Sequence, residues 1–226
     1  MFSTTVVRRW GMTLAGVGLA AATLTTTAFA QESSAPAVSS STNAIVPPAS
    51  VKLKLKAFGG TGCTKKTTAV RMNAAKTAMY VRYGKYTAQV GPKAPAAEAR
   101  RFCQFVVSLQ VPQGFSYAVT AVDHHGYGQL ATDTKGYLES ALYFAGSPAT
   151  VGNVTQVKLS RAHTFSAHRA ITKLTWSDCH TTADLTIKSA LRVQRAPSAR
   201  TTRSYLTMDT SKVTESTLLQ LRWKRC

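Results

Sequence analysis

Val51-Lys52-Leu53-Lys54-Leu55-Lys56 alternates strictly between apolar and basic residues, so as a strand it turns Val51, Leu53 and Leu55 inward and three lysines outward. Those lysines have two readings, a face for polyanions or a guard that keeps a sheet edge from pairing with another chain. From Phe102 to Leu130, two apolar, β-branched runs flank a Val111-Pro112-Gln113-Gly114 turn. They predict a two-strand core unit, with Val106, Val107, Leu109 and Val111 in one strand and Tyr117, Val119 and Val122 opening the next. Thr67 to Met72, Ala78 to Tyr83, Tyr137 to Phe144, Val154 to Leu159, Ala170 to Trp176, Ala183 to Val193, Tyr205 to Asp209 and Thr217 to Trp223 read as further short strands. In the last of them the alternation turns Leu219, Leu221 and Trp223 inward. Gly91 to Arg101, with two prolines, reads as a loop with at most one helical turn. Many short strands without a long helix predict an all-β fold of two packed antiparallel sheets, a β-sandwich or jelly roll.

The N-terminal region follows a different pattern. Arg8 and Arg9, an apolar stretch from Trp10 to Ala22 and then Ala28-Phe29-Ala30 form a secretory signal peptide over residues 1–30, cut after Ala30. The apolar stretch is too short and too rich in Gly and Thr to anchor in a bilayer, where spanning takes about 20 apolar residues. Residues 31–50, dominated by Ser, Ala and Pro, read as a flexible spacer, which leaves residues 51–226 as one β domain. The product is expected outside the cell, free of a membrane anchor.

Export changes the reading of the cysteines. Cys63, Cys103, Cys179 and Cys226 all follow the leader, and in an oxidising compartment an even set forms disulfides. Four cysteines allow three pairings. Cys63 with Cys103 and Cys179 with Cys226 is expected, because each pair then flanks a contiguous set of strands and neither loop threads the other. A zinc reading fails on spacing, since Cys179-His180 has no neighbours to complete a tetrahedral set. Gly59-Gly60-Thr61-Gly62-Cys63-Thr64-Lys65-Lys66-Thr67 lacks the Gly that a phosphate-cradling loop places before its Lys, and reads as a turn that delivers Cys63.

Charge narrows the partners. The formal charge is +19, and removal of Arg8 and Arg9 with the leader takes two positives away and leaves +17. Such an excess attracts polyanions: anionic polysaccharide, cell-wall polymer, lipid headgroups or nucleic acid. The loop from Arg192 to Arg203, with Arg195, Arg200 and Arg203 around Pro197, is one candidate for anion contact. Tyr80 to Tyr86 interleaves aromatic and basic residues, a pattern suited both to ring stacking and to an ordinary half-buried strand.

The densest functional atoms are in Asp123-His124-His125-Gly126-Tyr127. On a strand Asp123 and His125 share a face, half of a nucleophilic triad, while no serine sits in a Gly-x-Ser-x-Gly elbow. Of the eight acids from Val51 onward none forms a paired-carboxylate motif. Neither a catalytic set, a metal nor a cofactor follows from these residues.

Gly60-Thr61-Gly62-Cys63, Arg101-Phe102-Cys103-Gln104, Val111 to Val119, Gly126-Tyr127, Trp176-Ser177-Asp178-Cys179 and Leu221 to Cys226 together resemble domain-of-unknown-function family 4360, small secreted proteins of bacteria and fungi. The resemblance runs from about Val51 to the end and implies a secreted, disulfide-bonded β protein, without an activity or site to carry over. Where the family pattern has an aromatic and an arginine before Gly126, this chain has His124 and His125. The function expected is non-enzymatic binding of anionic cell-surface or extracellular polymers, with Asp123, His125, Tyr127, Arg195, Arg200 and Arg203 as candidate contacts. The alternatives are a secreted hydrolase using Asp123 and His125, or an envelope structural or inhibitor protein.

Overall fold

Alternation along the chain is realised as two antiparallel sheets that enclose one apolar interior. The structure, a computed structural model, describes residues 45–147, 151–179, 182–197 and 202–226; the leader, its cleavage point, the spacer up to residue 44, His180 and Arg200 lie outside them. Twelve strands follow in order: β1 Lys52–Gly60, β2 Thr68–Met72, β3 Ala78–Tyr83, β4 Thr87–Val90, β5 Arg100–Gln110, β6 Phe115–Gln129, β7 Thr134–Phe144, β8 Val151–Val157, β9 His163–Ala170, β10 Ala183–Arg195, β11 Ser204–Thr207 and β12 Thr217–Arg225. Ala96–Glu98 forms a single 3-10 turn in the proline-bearing loop. The fold is the all-β sandwich that the short alternating runs predict.

The five-stranded sheet has the order β1, β5, β10, β7, β8, and the seven-stranded sheet runs β2, β3, β12, β6, β11, β4 with β9 on β6. Lysine-bearing β1 is therefore an edge, and its ladder with β5 shifts register between Leu55 and Ala57. Outward lysines and a bulge both discourage a further strand from adding there. Lys56 also pairs with Asp184 at 2.8 Å.

The Pro112–Gly114 turn joins strands of different sheets. β5 pairs with β1 and β10, whereas β6 pairs with β12, β9 and β11. Gly114 takes φ +82, and its carbonyl accepts a hydrogen bond from the Cys226 amide at 2.9 Å. Phe105, Val107 and Leu109 of β5 and Val119 and Val122 of β6 thus enter the same core from different sheets. On β12, Leu219, Leu221 and Trp223 are buried while Gln220 and Arg222 are exposed, as the alternation requires.

One strand is displaced from its expected place. The strand in this region that pairs with β6 is His163–Ala170, and the expected strand from Ala170 to Trp176 is a loop that starts where the Ile171 amide donates a hydrogen bond to Thr120 O at 2.7 Å. Pairing lapses there and resumes only at a single bridge between Trp176 and Ala118. Ile171 and Leu174 lack the period of two that a half-buried strand needs. Tyr83 and Tyr86 are fully buried, ring edge to ring face at 4.9 Å, so two of the three tyrosines in the Tyr80 to Tyr86 run belong to the core rather than to a stacking surface. Tyr86 Oη meets Ser189 Oγ at 3.1 Å, joining the β3–β4 connection to β10 across the interior.

Both disulfides have the expected pairing, Cys63–Cys103 with Cα atoms 5.4 Å apart and Cys179–Cys226 at 6.0 Å. Gly60 and Gly62 make the first possible. Gly60 sits at φ +132, and a Cβ there would strike Phe102 O; a Cβ at Gly62 would run into the Tyr86 ring. The loop is thus a close backbone approach that only glycine allows.

Replacing Cys63 and Cys103 by serine removes a 40-residue cross-link. Stability should fall by about 4 kcal/mol in the chain-entropy model. A lower urea midpoint relative to the native protein is the expected result; an unchanged midpoint would contradict this role for the bridge.

Candidate ligand-binding face

On β6 the sequence-selected residues separate by alternation. Asp123, His125 and Tyr127 point outward from the seven-stranded sheet and His124 points in, 4% exposed. Asp123 does not pair with His125. Antiparallel register sets His168 of β9 directly opposite Asp123, and Nδ1 of His168 lies 2.5 Å from Oδ1. His125 is two residues further along the strand, about 7 Å away, so the cross-strand imidazole takes the carboxylate. Gln220 donates to the other oxygen, Oδ2, at 3.2 Å.

His125 instead faces an open cleft of about 820 Å³ shared with Ser166, Thr210, Lys212 and Glu215. Tyr127 rests near Tyr205, ring centroids 6.4 Å apart. The arginines of the 192–203 segment are likewise divided. Arg195 is exposed at the end of β10; Arg203 donates through Nε and Nη2 to Gln89 Oε1 at 2.9 and 2.7 Å, with its guanidinium 4.9 Å from the Tyr205 ring. Arg200 lies outside the described residues. Among the described residues no three His, Cys, Asp or Glu side chains come together as a metal-holding group.

The richest grouping is on the outer face of the five-stranded sheet. Register aligns Arg100, Arg192 and Tyr137 in one row across β5, β10 and β7. The next row holds Phe102, Ala190, Glu139 and Val154, and the one after it Gln104, Lys188, Ala141 and Gly152. Each cation lies over a ring: Arg192 on Tyr137 at 4.2 Å, Lys188 on Tyr143 at 5.1 Å and Arg100 on Phe102 at 5.9 Å. Such pairs are electrostatically favourable and keep guanidinium and ammonium groups at the surface.

Glu139 connects the two arginines. Arg100 Nη2 donates to Oε2 at 2.9 Å and Arg192 Nε to Oε1 at 3.3 Å, while Arg192 Nη1 also reaches Gln194 Oε1 at 3.1 Å. Between Phe102 and Val154 the sheet opens into a cleft of about 600 Å³ floored by Ala141, Gly152 and Ala190. Phe102 is 38% exposed and Val154 61%; with Val46 they are the exposed large hydrophobic side chains among the described residues. A face with apolar walls, a small-residue floor and fixed cations can hold a ligand that is both ringed and charged.

Sequence reasoning passed over this face because it followed the inward positions of each strand. The same alternation, read outward, shows Arg100-x-Phe102-x-Gln104, Tyr137-x-Glu139-x-Ala141-x-Tyr143 and Lys188-x-Ala190-x-Arg192. What joins these runs is strand order, which no local pattern carries.

Residues 49–226 match the model of the domain of unknown function DUF4360, and the chain belongs to that family. An uncharacterized secreted protein of Arthroderma benhamiae is 28% identical over 171 residues, covering 75% of this chain and 69% of the relative. Among solved structures, the carbohydrate-binding module TmCBM61 in complex with β-1,4-galactotriose overlaps 80% of this chain and 92% of its own at 9% identity, with a TM-score of 0.28.

His124 offers a test of the buried side of β6. Its Nδ1 is 2.9 Å from Thr217 Oγ1, its Nε2 is buried without a hydrogen-bond partner, and burial pushes its pKa down to about 4 against a smaller upward pull from Asp123. The unfolded chain, with an ordinary histidine pKa of about 6.5, takes up the proton first as pH falls. Stability is therefore full above about pH 6.5 and declines towards pH 4, by roughly 3 kcal/mol from this group. Urea midpoints measured from pH 7 to pH 4 should fall less steeply in His124→Gln than in the native protein; parallel curves would refute the assignment.

Proposed function

We propose that the protein is exported and binds anionic extracellular polymers through the outer face of its five-stranded sheet. The observation that carries this is the set of three cation-over-ring pairs, Arg100 on Phe102, Lys188 on Tyr143 and Arg192 on Tyr137, gathered on adjacent strands. A ring beneath each cation limits its rotamers, so less side-chain freedom is lost when an anion arrives. The charge, +19 for the full chain and +17 without Arg8 and Arg9 of the leader, adds long-range attraction. Export is supported by the leader pattern of residues 1–30, by two disulfides that an oxidising compartment favours, and by the description of the Arthroderma relative as secreted. Among the described residues no helix is long and apolar enough to cross a membrane.

The face predicts binding that salt weakens. Retention on immobilised polygalacturonate should be strong at low ionic strength and vanish near 1 M salt, where the screening length is about 3 Å. Arg100→Gln with Arg192→Gln should elute at clearly lower salt than the native protein. Elution of the double variant at the native salt concentration would move the binding site elsewhere; no retention of the native protein at low salt would end the proposal.

A further inference from the structure

The composition of the cleft between Phe102 and Val154 goes beyond affinity for negative charge. Across β5, β10, β7 and β8 it spans three strand spacings, about 14 Å. Its floor, Ala190, Ala141 and Gly152, bears no side chain larger than a methyl group. Its walls are apolar, and one of them, Phe102, has the loosest cation cover of the three rings. A carboxylate, Glu139, stands in the middle row between Ala190 and Val154.

That carboxylate decides between classes of polyanion. A polyphosphate or nucleic-acid backbone presents acceptor oxygens at dense spacing, so a fixed Glu139 repels it and the apolar walls go unused. A chain of sugar rings carrying one carboxylate per ring presents three things at once. Its C–H faces suit Phe102 and the small-residue floor, its hydroxyls donate to Glu139 and bond with Gln104 and Lys188, and its carboxylates meet Arg100 and Arg192 one pleat row away, about 7 Å. A nucleic-acid reader would show several open rings for successive bases. Here all three rings carry a cation, and Phe102, with the most distant of them at 5.9 Å, is the one exposed ring of the three.

Resting on the polymer-binding reading above, we infer that this cleft is a subsite for an acidic polysaccharide of the polyuronate type, with Phe102 as the ring platform, Arg100 and Arg192 as the carboxylate grips and Glu139 as the hydroxyl acceptor that selects against phosphate polymers.

Polygalacturonate and inorganic polyphosphate are the two probes, titrated against the native protein, Phe102→Ala and Glu139→Gln at one low salt concentration, with thermal unfolding recorded to verify folding. Phe102→Ala should weaken polygalacturonate binding by about tenfold, the size of one ring contact, and polyphosphate binding by clearly less, since polyphosphate loses only the ring's hold on Arg100. Glu139→Gln should move the two probes in opposite directions, weakening polygalacturonate and strengthening polyphosphate. Full polygalacturonate affinity in Phe102→Ala, or a shift of both probes in the same direction in Glu139→Gln, would overturn the subsite while leaving general polyanion binding in place. If the native protein binds neither probe, it is the underlying polymer-binding reading that falls.

Discussion

The Cys63–Cys103 bridge is the constraint on which the proposed binding face depends, because it closes directly beside Phe102. Gly62 N donates to Phe102 O at 2.8 Å, and the Thr61 hydroxyl accepts from Phe102 N at 3.4 Å. Arg101 Nη1 closes the same loop by donating to Thr61 O at 3.2 Å. The clasp therefore fixes the backbone of the one residue whose ring projects openly over the cleft. On β5 the neighbouring side chain Cys103 points inward and is fully buried, so alternation itself forces Phe102 outward. A disulfide that looks purely structural thus sets the position of the platform.

From that clasp the restraint passes into the middle of the molecule. Cys103 pairs in register with Ser189, whose hydroxyl meets buried Tyr86, and Tyr86 in turn packs on Tyr83. A phenol is neutral at physiological pH and burial pushes both tyrosines further from ionising, so the contact between the sheets costs no buried charge. β10 carries Ser189 on its inner face and Lys188, Ala190 and Arg192 on its outer one. One strand accordingly links core order to the proposed binding face.

How much of this a reader of the sequence could see depends on range. Leu219, Leu221 and Trp223 are legible because alternation is local, and the lysines of β1 are legible as an edge guard for the same reason. The turn at Pro112 and Gly114 is not, since a hairpin and a crossing between sheets both need the same turn residues. Asp123 was visible as a carboxylate beside imidazoles, yet its partner is His168, 45 positions away and brought opposite only by the β6–β9 register. The candidate face lies at the far end of this scale: Arg100, Glu139 and Arg192 come from three strands whose order in the sheet is β5, β10, β7. Local alternation marks each of them as outward, and only the fold makes them neighbours.

Under the proposed function, preorganisation determines how much of the protein's large positive charge becomes binding. Surface cations scattered on flexible stems attract polyanions from a distance but lose rotamer freedom on contact, which offsets much of the gain. Arg100 and Arg192 are held between an aromatic ring and a shared carboxylate, so their guanidinium planes are set before any ligand arrives. Glu139 lowers the net charge of the face while raising its order. A site built only for attraction would leave that carboxylate out; in the proposed subsite, keeping it would exchange electrostatic strength for discrimination, the arrangement expected when many extracellular polymers share the same sign of charge.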